Sequence, residues 1–232
     1  MAFGTDDQLV ERERPASIYE RLRDDIAEGR LQANERLKAS VLAARYHTST
    51  NPVREALQQL RGEGFVVFSQ NKGARVRPVD EDFARDVYEI EALIAPYLTH
   101  WFVSIASQAD IVRLEAAQQE MEDLNFRDHE LHSVLDRQFH QIIYERHYNR
   151  QAVDMSSKRR EILHAIAKRF PFSSSRQREI MTEHQQLIAA IKSGNAEGAV
   201  EVMRRHIMGS GRHIIDHMRA ERARTPKASS AP

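Results

Sequence analysis

The chain has 232 residues, no cysteine, and equal numbers of Lys/Arg and Asp/Glu, 34 of each. This length allows one large domain or two small ones with a real core, while the absence of cysteine excludes a disulfide framework and thiol chemistry. The N-terminal MAFGTDDQLVERERP has no apolar segment of signal-peptide length and no apolar run can span a bilayer, so we expect a cytoplasmic protein with no membrane partner.

Residues 1–14 read as a flexible tail. Ile18, Leu22 and Ile26 then recur every four residues, which predicts an amphipathic helix stopping near Gly29. A short helix follows over about 38–46, with Val41, Leu42 and Ala43 inward. A third opens around Asn51, where Asn can cap and Pro52 suits the first helical position because its missing N–H costs nothing there. Val53, Ala56, Leu57 and Leu60 form its inner stripe, and Gly62 and Gly64 end it. FVVF and ARVRP flank SQNKG as a hairpin. Three short helices followed by a hairpin is the order of a winged helix-turn-helix, predicted over 15–78.

Local charge separates this region from the balanced whole. Between Arg30 and Pro78 stand nine Lys/Arg and three Asp/Glu. A solvated basic surface would explain the excess. Its coincidence with a helix N-terminus and a hairpin tip, the parts such a fold presents to nucleic acid, points instead to DNA.

Beyond Asp80 the hairpin signals vanish. The remainder predicts an all-α bundle of six helices, near 81–103, 108–125, 128–147, 149–169, 175–193 and 195–222, with Ser107, Ser175 and Asn195 as caps and Gly194 as a stop. The small, polar stretch at 223–232 reads as disordered.

Polar residues on apolar stripes are the informative ones in a bundle. Asp136 and His140 share a face with Leu135, Phe139 and Ile143. His184 lies on the stripe of Ile180, Leu187, Ile188 and Ile191, and His206 follows Ala199, Val202 and Met203. Each alone reads as a hydrogen-bonded core histidine. Together, three imidazoles and a carboxylate from three inward faces form a divalent-metal site for zinc, with nickel or manganese as alternatives. His132 could stand behind this set or on the surface, and the His213–His217 pair is expected on a solvated face. Glu91, in the series Val87, Glu91, Ile94, Leu98, either reaches water at the stripe's edge or points into the same cavity.

The strings carry a resemblance. LKASVLAARYHTSTNPVREALQQLRGEGFV resembles the helix-turn-helix of the GntR family of bacterial transcription regulators, PVREAL being its most characteristic part. DRQFHQII, EHQQLIAAIKSGNAEGA and MRRHI resemble the Asp, His, His and His segments of the FCD-type effector domain of the FadR subfamily. Six bundle helices make it similar to the VanR-like branch. The resemblance implies a homodimeric, ligand-responsive regulator that binds a double-stranded operator of two half-sites and takes a small-molecule effector over 79–222. Lys38, Ser40, Arg45, Ser49, Thr50, Asn51, Arg54, Lys72, Gly73 and Arg75 are then the expected DNA-binding residues. Ser40 and Thr50 stand where many members have arginine. In YEIE, Glu91 replaces an arginine that grips carboxylate effectors, so it would suit a ligand offering N–H donors or positive charge.

The reading is a metal-containing repressor of a catabolic operon, associated with the nucleoid when bound to DNA. The rivals are a helical metallohydrolase joined to a DNA-targeting domain and an architectural DNA binder with a structural bundle. Metal hydrolysis needs an open coordination position and a positioned base. Neither a His-Asp doublet nor His-Glu-x-x-His occurs.

Overall fold

The computed structural model describes residues 16–69 and 73–224. The N-terminal unit contains α1 (Ile18–Ala27), β1 (Arg36–Leu37), α2 (Ala39–Arg45), α3 (Thr50–Gly62), β2 (Val66–Ser69) and β3 (Gly73–Val76). A Ser17–Glu20 capping box opens α1. Leu22, Ile26, Leu42, Val53, Leu57, Leu60 and Phe65 form the core under three helices and a sheet. The hairpin is as expected, with β2 antiparallel to β3, but β1 pairs with the other edge of β3. Two residues are too few to show a strand's alternation, so β1 has no sequence signature.

The helix of PVREAL begins two residues earlier than its proline suggests. Ser49, not Asn51, is the extended N-cap residue of α3, and its side chain makes no capping bond. Pro52 still falls within the first turn, where no intrahelical N–H is required.

Six helices follow: α4 (Glu81–Ile105), α5 (Gln108–Leu124), α6 (His129–Tyr144), α7 (Arg150–Arg169), α8 (Ser174–Lys192) and α9 (Ala196–Arg224). Caps set most of their starts. Asp80, Ser107, Asp128 and Asn149 accept first-turn N–H bonds, and Asn195 accepts from Gly198 at 2.9 Å. Ser173 rather than Ser175 caps α8. Gly194 has φ +69°, as a helix stop requires. The last helix runs to Arg224, past the expected boundary at 222.

Apolar stripes bring α4 along α9, and α5, α6 and α8 close the bundle. At Gly211 of α9 an added Cβ would lie 2.8 Å from Cγ of Tyr88, so glycine permits the close α4–α9 approach. The N-terminal unit rests on the bundle through α1 and α7, and the Phe65 and Phe83 rings meet edge-on at 5.9 Å. No helix among the described residues is long and apolar enough to cross a membrane.

Candidate functional site

Asp136 and His140 of α6, His184 of α8 and His206 of α9 converge in the bundle. One ligand-type atom from each lies within 4.8 Å of all the others. Asp136 Oδ1 stands 3.8 Å from His140 Nε2 and 3.6 Å from His184 Nε2. Both of those nitrogens are buried without a hydrogen-bond partner. Orphaned buried polar atoms are rare in native proteins and call for an explanation such as an ion.

The outer nitrogens are held instead. His184 Nδ1 faces Gln118 Oε1 of α5 at 3.2 Å, and His206 Nδ1 faces Glu183 Oε2 at 3.0 Å. His140 Nδ1 stands 3.4 Å from the Tyr144 hydroxyl, which in turn donates to Met203 Sδ. An Nδ1–H given to Gln118 or Glu183 leaves the Nε2 lone pair turned inward, the arrangement that orients metal-binding imidazoles. Arg176 fixes Glu183 at 2.8 Å and also donates to the His206 carbonyl at 2.8 Å.

Electrostatics support the same donor states. Burial, then the neighbouring His206, push His184 down to about 3, and burial and Arg160 hold His140 well below its ordinary value. Burial alone would raise Asp136, but His140 and Arg160 beside it keep the carboxyl below the usual carboxylate range. Two neutral imidazoles and an ionised carboxylate need lose no proton to bind a cation. Three nitrogens and one oxygen make a donor set that fits zinc.

A cavity of about 470 Å³ opens beside this cluster, with Asp136 and His206 in its wall. Glu91 also lines it and is 1% exposed, so the water-reaching alternative does not hold. Its Oε1 accepts from the buried Ser156 hydroxyl at 2.6 Å, while Oε2 has no partner. Arg160 of α7, absent from the expected set, lines the cavity and donates to Asp136 Oδ2 at 3.3 Å. Its signal was available in the spacing of Val153, Ser156, Arg160, Leu163 and Ala167 on one face of α7. Gln118 and Glu183, which hold the imidazoles, were likewise not singled out. His132 also lines the cavity. His213 and His217 are half-buried: His213 Nε2 accepts from Ser173 N at 3.1 Å, and His217 packs edge-on against Phe170.

At the other end of the molecule Lys38, Ser40, Ser49, Asn51, Arg54 and Gly73 are exposed, while Thr50 and Arg75 are half-buried. Arg54 projects from the outer face of α3, opposite the buried Val53, Ala56 and Leu57. Gly73 has φ +74°, a conformation that favours glycine at the start of β3. Arg75 donates to the Asn34 carbonyl at 2.7 Å, and Arg45 is exposed but paired with Asp25 at 2.9 Å. Lys72 lies outside the described residues. Arg36 of β1 reaches beside Gly73, a cation the reading of the sequence did not assign.

A basic winged helix-turn-helix joined to a helical bundle around a largely apolar cavity with a few charged groups defines a ligand-sensing DNA-binding regulator. Residues 15–76 match the bacterial regulatory proteins of the gntR family, and residues 86–209 match the FCD domain. The chain belongs to the GntR family, in the branch that carries an FCD domain, and is a transcription regulator rather than an enzyme. It is 28% identical over 208 residues to the HTH-type transcriptional repressor GlaR of Escherichia coli K12, spanning 82% of this chain and 90% of that one. It is 22% identical over 193 residues to the galactonate operon transcriptional repressor of the same strain, spanning 75% of this chain and 84% of that one. E. coli McbR/YncC has the same fold, with a TM-score of 0.66 at 18% identity over 88% of this chain and 96% of that one.

Proposed function

We propose that the protein is a homodimeric repressor of a catabolic operon, holding a divalent ion in its effector pocket and released from or retained on DNA by a small molecule. The observation that carries this reading is the convergence of Asp136, His140, His184 and His206, with two orphaned nitrogens, on the wall of a cavity. Those four side chains would hold zinc, or nickel or manganese. The ion would supply a Lewis-acidic position for an oxygen of the effector. Glu91 contacts the effector from the same cavity.

The DNA-binding domain spans 15–78, and the effector-binding and dimerisation domain 79–222. Arg54, Ser49, Thr50 and Asn51 at the start of α3 enter the major groove, where free helical N–H groups and an arginine meet phosphate or guanine. Lys38, Ser40 and Arg45 contact the backbone from α2, and Lys72, Gly73 and Arg75 do so from the wing. Two copies meet through the outward face of α4, where Ile90, Leu93 and Tyr97 are 39%, 75% and 41% exposed. That stripe continues into Tyr148, whose hydroxyl bonds that of Tyr97 at 2.7 Å. Repression is supported by two relatives that are named as repressors.

Native mass spectrometry of freshly purified protein tests the whole reading. Two chains with one divalent ion each are expected, and His184→Ala or His206→Ala should lose most of the metal. Equal metal content in wild type and both variants would defeat the site.

A further inference from the structure

The cavity holds a carboxyl and a guanidinium, each with unfilled hydrogen-bonding capacity. Glu91 of α4 bonds Ser156 through Oε1, yet its Oε2 is buried with no partner. Leaving a buried acceptor unpaired is unfavourable, so a donor inside the cavity would be strongly held there. Arg160 stands one helical turn beyond Ser156 and gives one N–H to Asp136. A guanidinium has five donors in a planar fork, so most of its capacity remains for a group in the cavity. The other cations of the cavity wall are engaged elsewhere: Lys168 with Glu28 at 2.9 Å and Arg137 with Glu161 at 3.7 Å. The same cavity is also lined by Tyr88, Leu163, Phe172, Ile180 and Ile207.

We propose that the effector is an aminocarboxylate: Arg160 grips its oxyanion, Glu91 takes its ammonium or N–H-bearing end, and the apolar wall covers the stem between them. This rests on the cavity being the effector pocket. A simple monocarboxylate would leave Glu91 Oε2 unpaired and add a further negative charge to a cavity whose wall already carries the Glu91 and Asp136 carboxyl groups. A simple amine would leave the arginine fork unfilled. Only a molecule with both ends satisfies both groups, so discrimination comes from the unpaired group each single-ended analogue leaves behind. The volume suits a small organic molecule.

The test uses the full-length, zinc-loaded protein and calorimetric titration with straight-chain ω-amino acids of four to eight carbons, the matching fatty acids, the matching alkylamines and adipate. At least one amino acid of the series should bind about tenfold more tightly than its fatty acid and its amine. Glu91→Gln, with its zinc content checked as unchanged, should erase that preference while keeping fatty-acid binding. Arg160→Gln should weaken every acid-bearing probe. Tight binding of fatty acids or adipate, undiminished in Glu91→Gln, would overturn the aminocarboxylate class and leave the pocket standing. If no probe binds and none alters DNA retention, both the class and the pocket's role fall.

Discussion

Burial pushes the Glu91 carboxyl up to about 7, against the hydrogen bond from Ser156 and the charges of Arg160 and Arg159. Tyr144 feels the Glu91 charge in turn, and burial raises it as well. Between pH 4.5 and about 7 the folded chain keeps a proton on Glu91 that the unfolded chain releases, so this residue's contribution to stability falls as pH rises through that window. Glu91→Gln removes the penalty. It should therefore stabilise the ligand-free protein by about 1–3 kcal/mol more at pH 8 than at pH 5. Thermal melts at the two pH values measure this, and an equal effect at both would contradict a buried, proton-holding Glu91. Arg54 is the opposite kind of residue, exposed and unburdened by packing. Arg54→Ala should leave the melting temperature within about a degree or two and weaken operator binding in gel-shift titrations. A phosphate contact predicts a uniform loss with a salt slope shallower by about one, and a guanine contact predicts about 1–3 kcal/mol lost at one base pair. Undiminished binding would remove α3 from the groove.

At the scale of elements, α7 faces both halves of the molecule. Arg160 lines the cavity, Ser156 holds Glu91 in its wall, and Lys168 reaches both the cavity wall and Glu28 beside α1. On the other side Glu161 pairs with Arg23, a buried cation of α1 that also holds Asp24 at 3.0 Å. Tyr19 of α1 donates to Glu63 at 2.8 Å, tying the same surface together. A shift of α7 caused by a ligand would thus be felt by the DNA-binding unit through ion pairs. Such coupling requires the ligand to favour one arrangement over the other. Arg23→Ala should leave the bound-metal content unchanged while raising amide exchange along α1 and α7, because Glu161 keeps only Arg137 as a partner and the contact with α1 opens. Hydrogen exchange that is unchanged in both helices would exclude α7 as the link.

For the whole molecule the exposed apolar face of α4 is the feature that a single chain does not explain. Leu93 is three-quarters exposed between Ile90 and Tyr97 on one face of α4. Contiguous apolar surface of this kind marks an interface. A second copy on that face would set the separation of two recognition helices, which a two-half-site operator requires. Leu93→Arg would bury a charge at the centre of the contact. We expect light scattering to give one chain per particle and operator affinity to fall at least about tenfold, as half-site binding replaces binding at both. A dimer undisturbed by the arginine would move the interface elsewhere.

The order of elements was legible because each rests on local chemistry: helical stripes, caps at Ser107 and Asn195, and the turn between FVVF and ARVRP. The inward faces of α6, α8 and α9 likewise marked Asp136, His140, His184 and His206 before any packing was known, because a polar side chain on an apolar stripe is anomalous at any distance along the chain. Tertiary structure decided what periodicity cannot encode. It chose Ser49 over Asn51 as the cap of α3, since both are competent capping residues and the approach of the chain selects between them. It paired the two residues of β1 with β3, a contact with no local period. It also joined Glu91 to Arg160, which lie on α4 and α7 far apart in sequence and face one cavity only because the helices pack side by side. A stripe shows which face turns inward, but which charges meet there depends on the rotation and offset of helices that only the packed core determines.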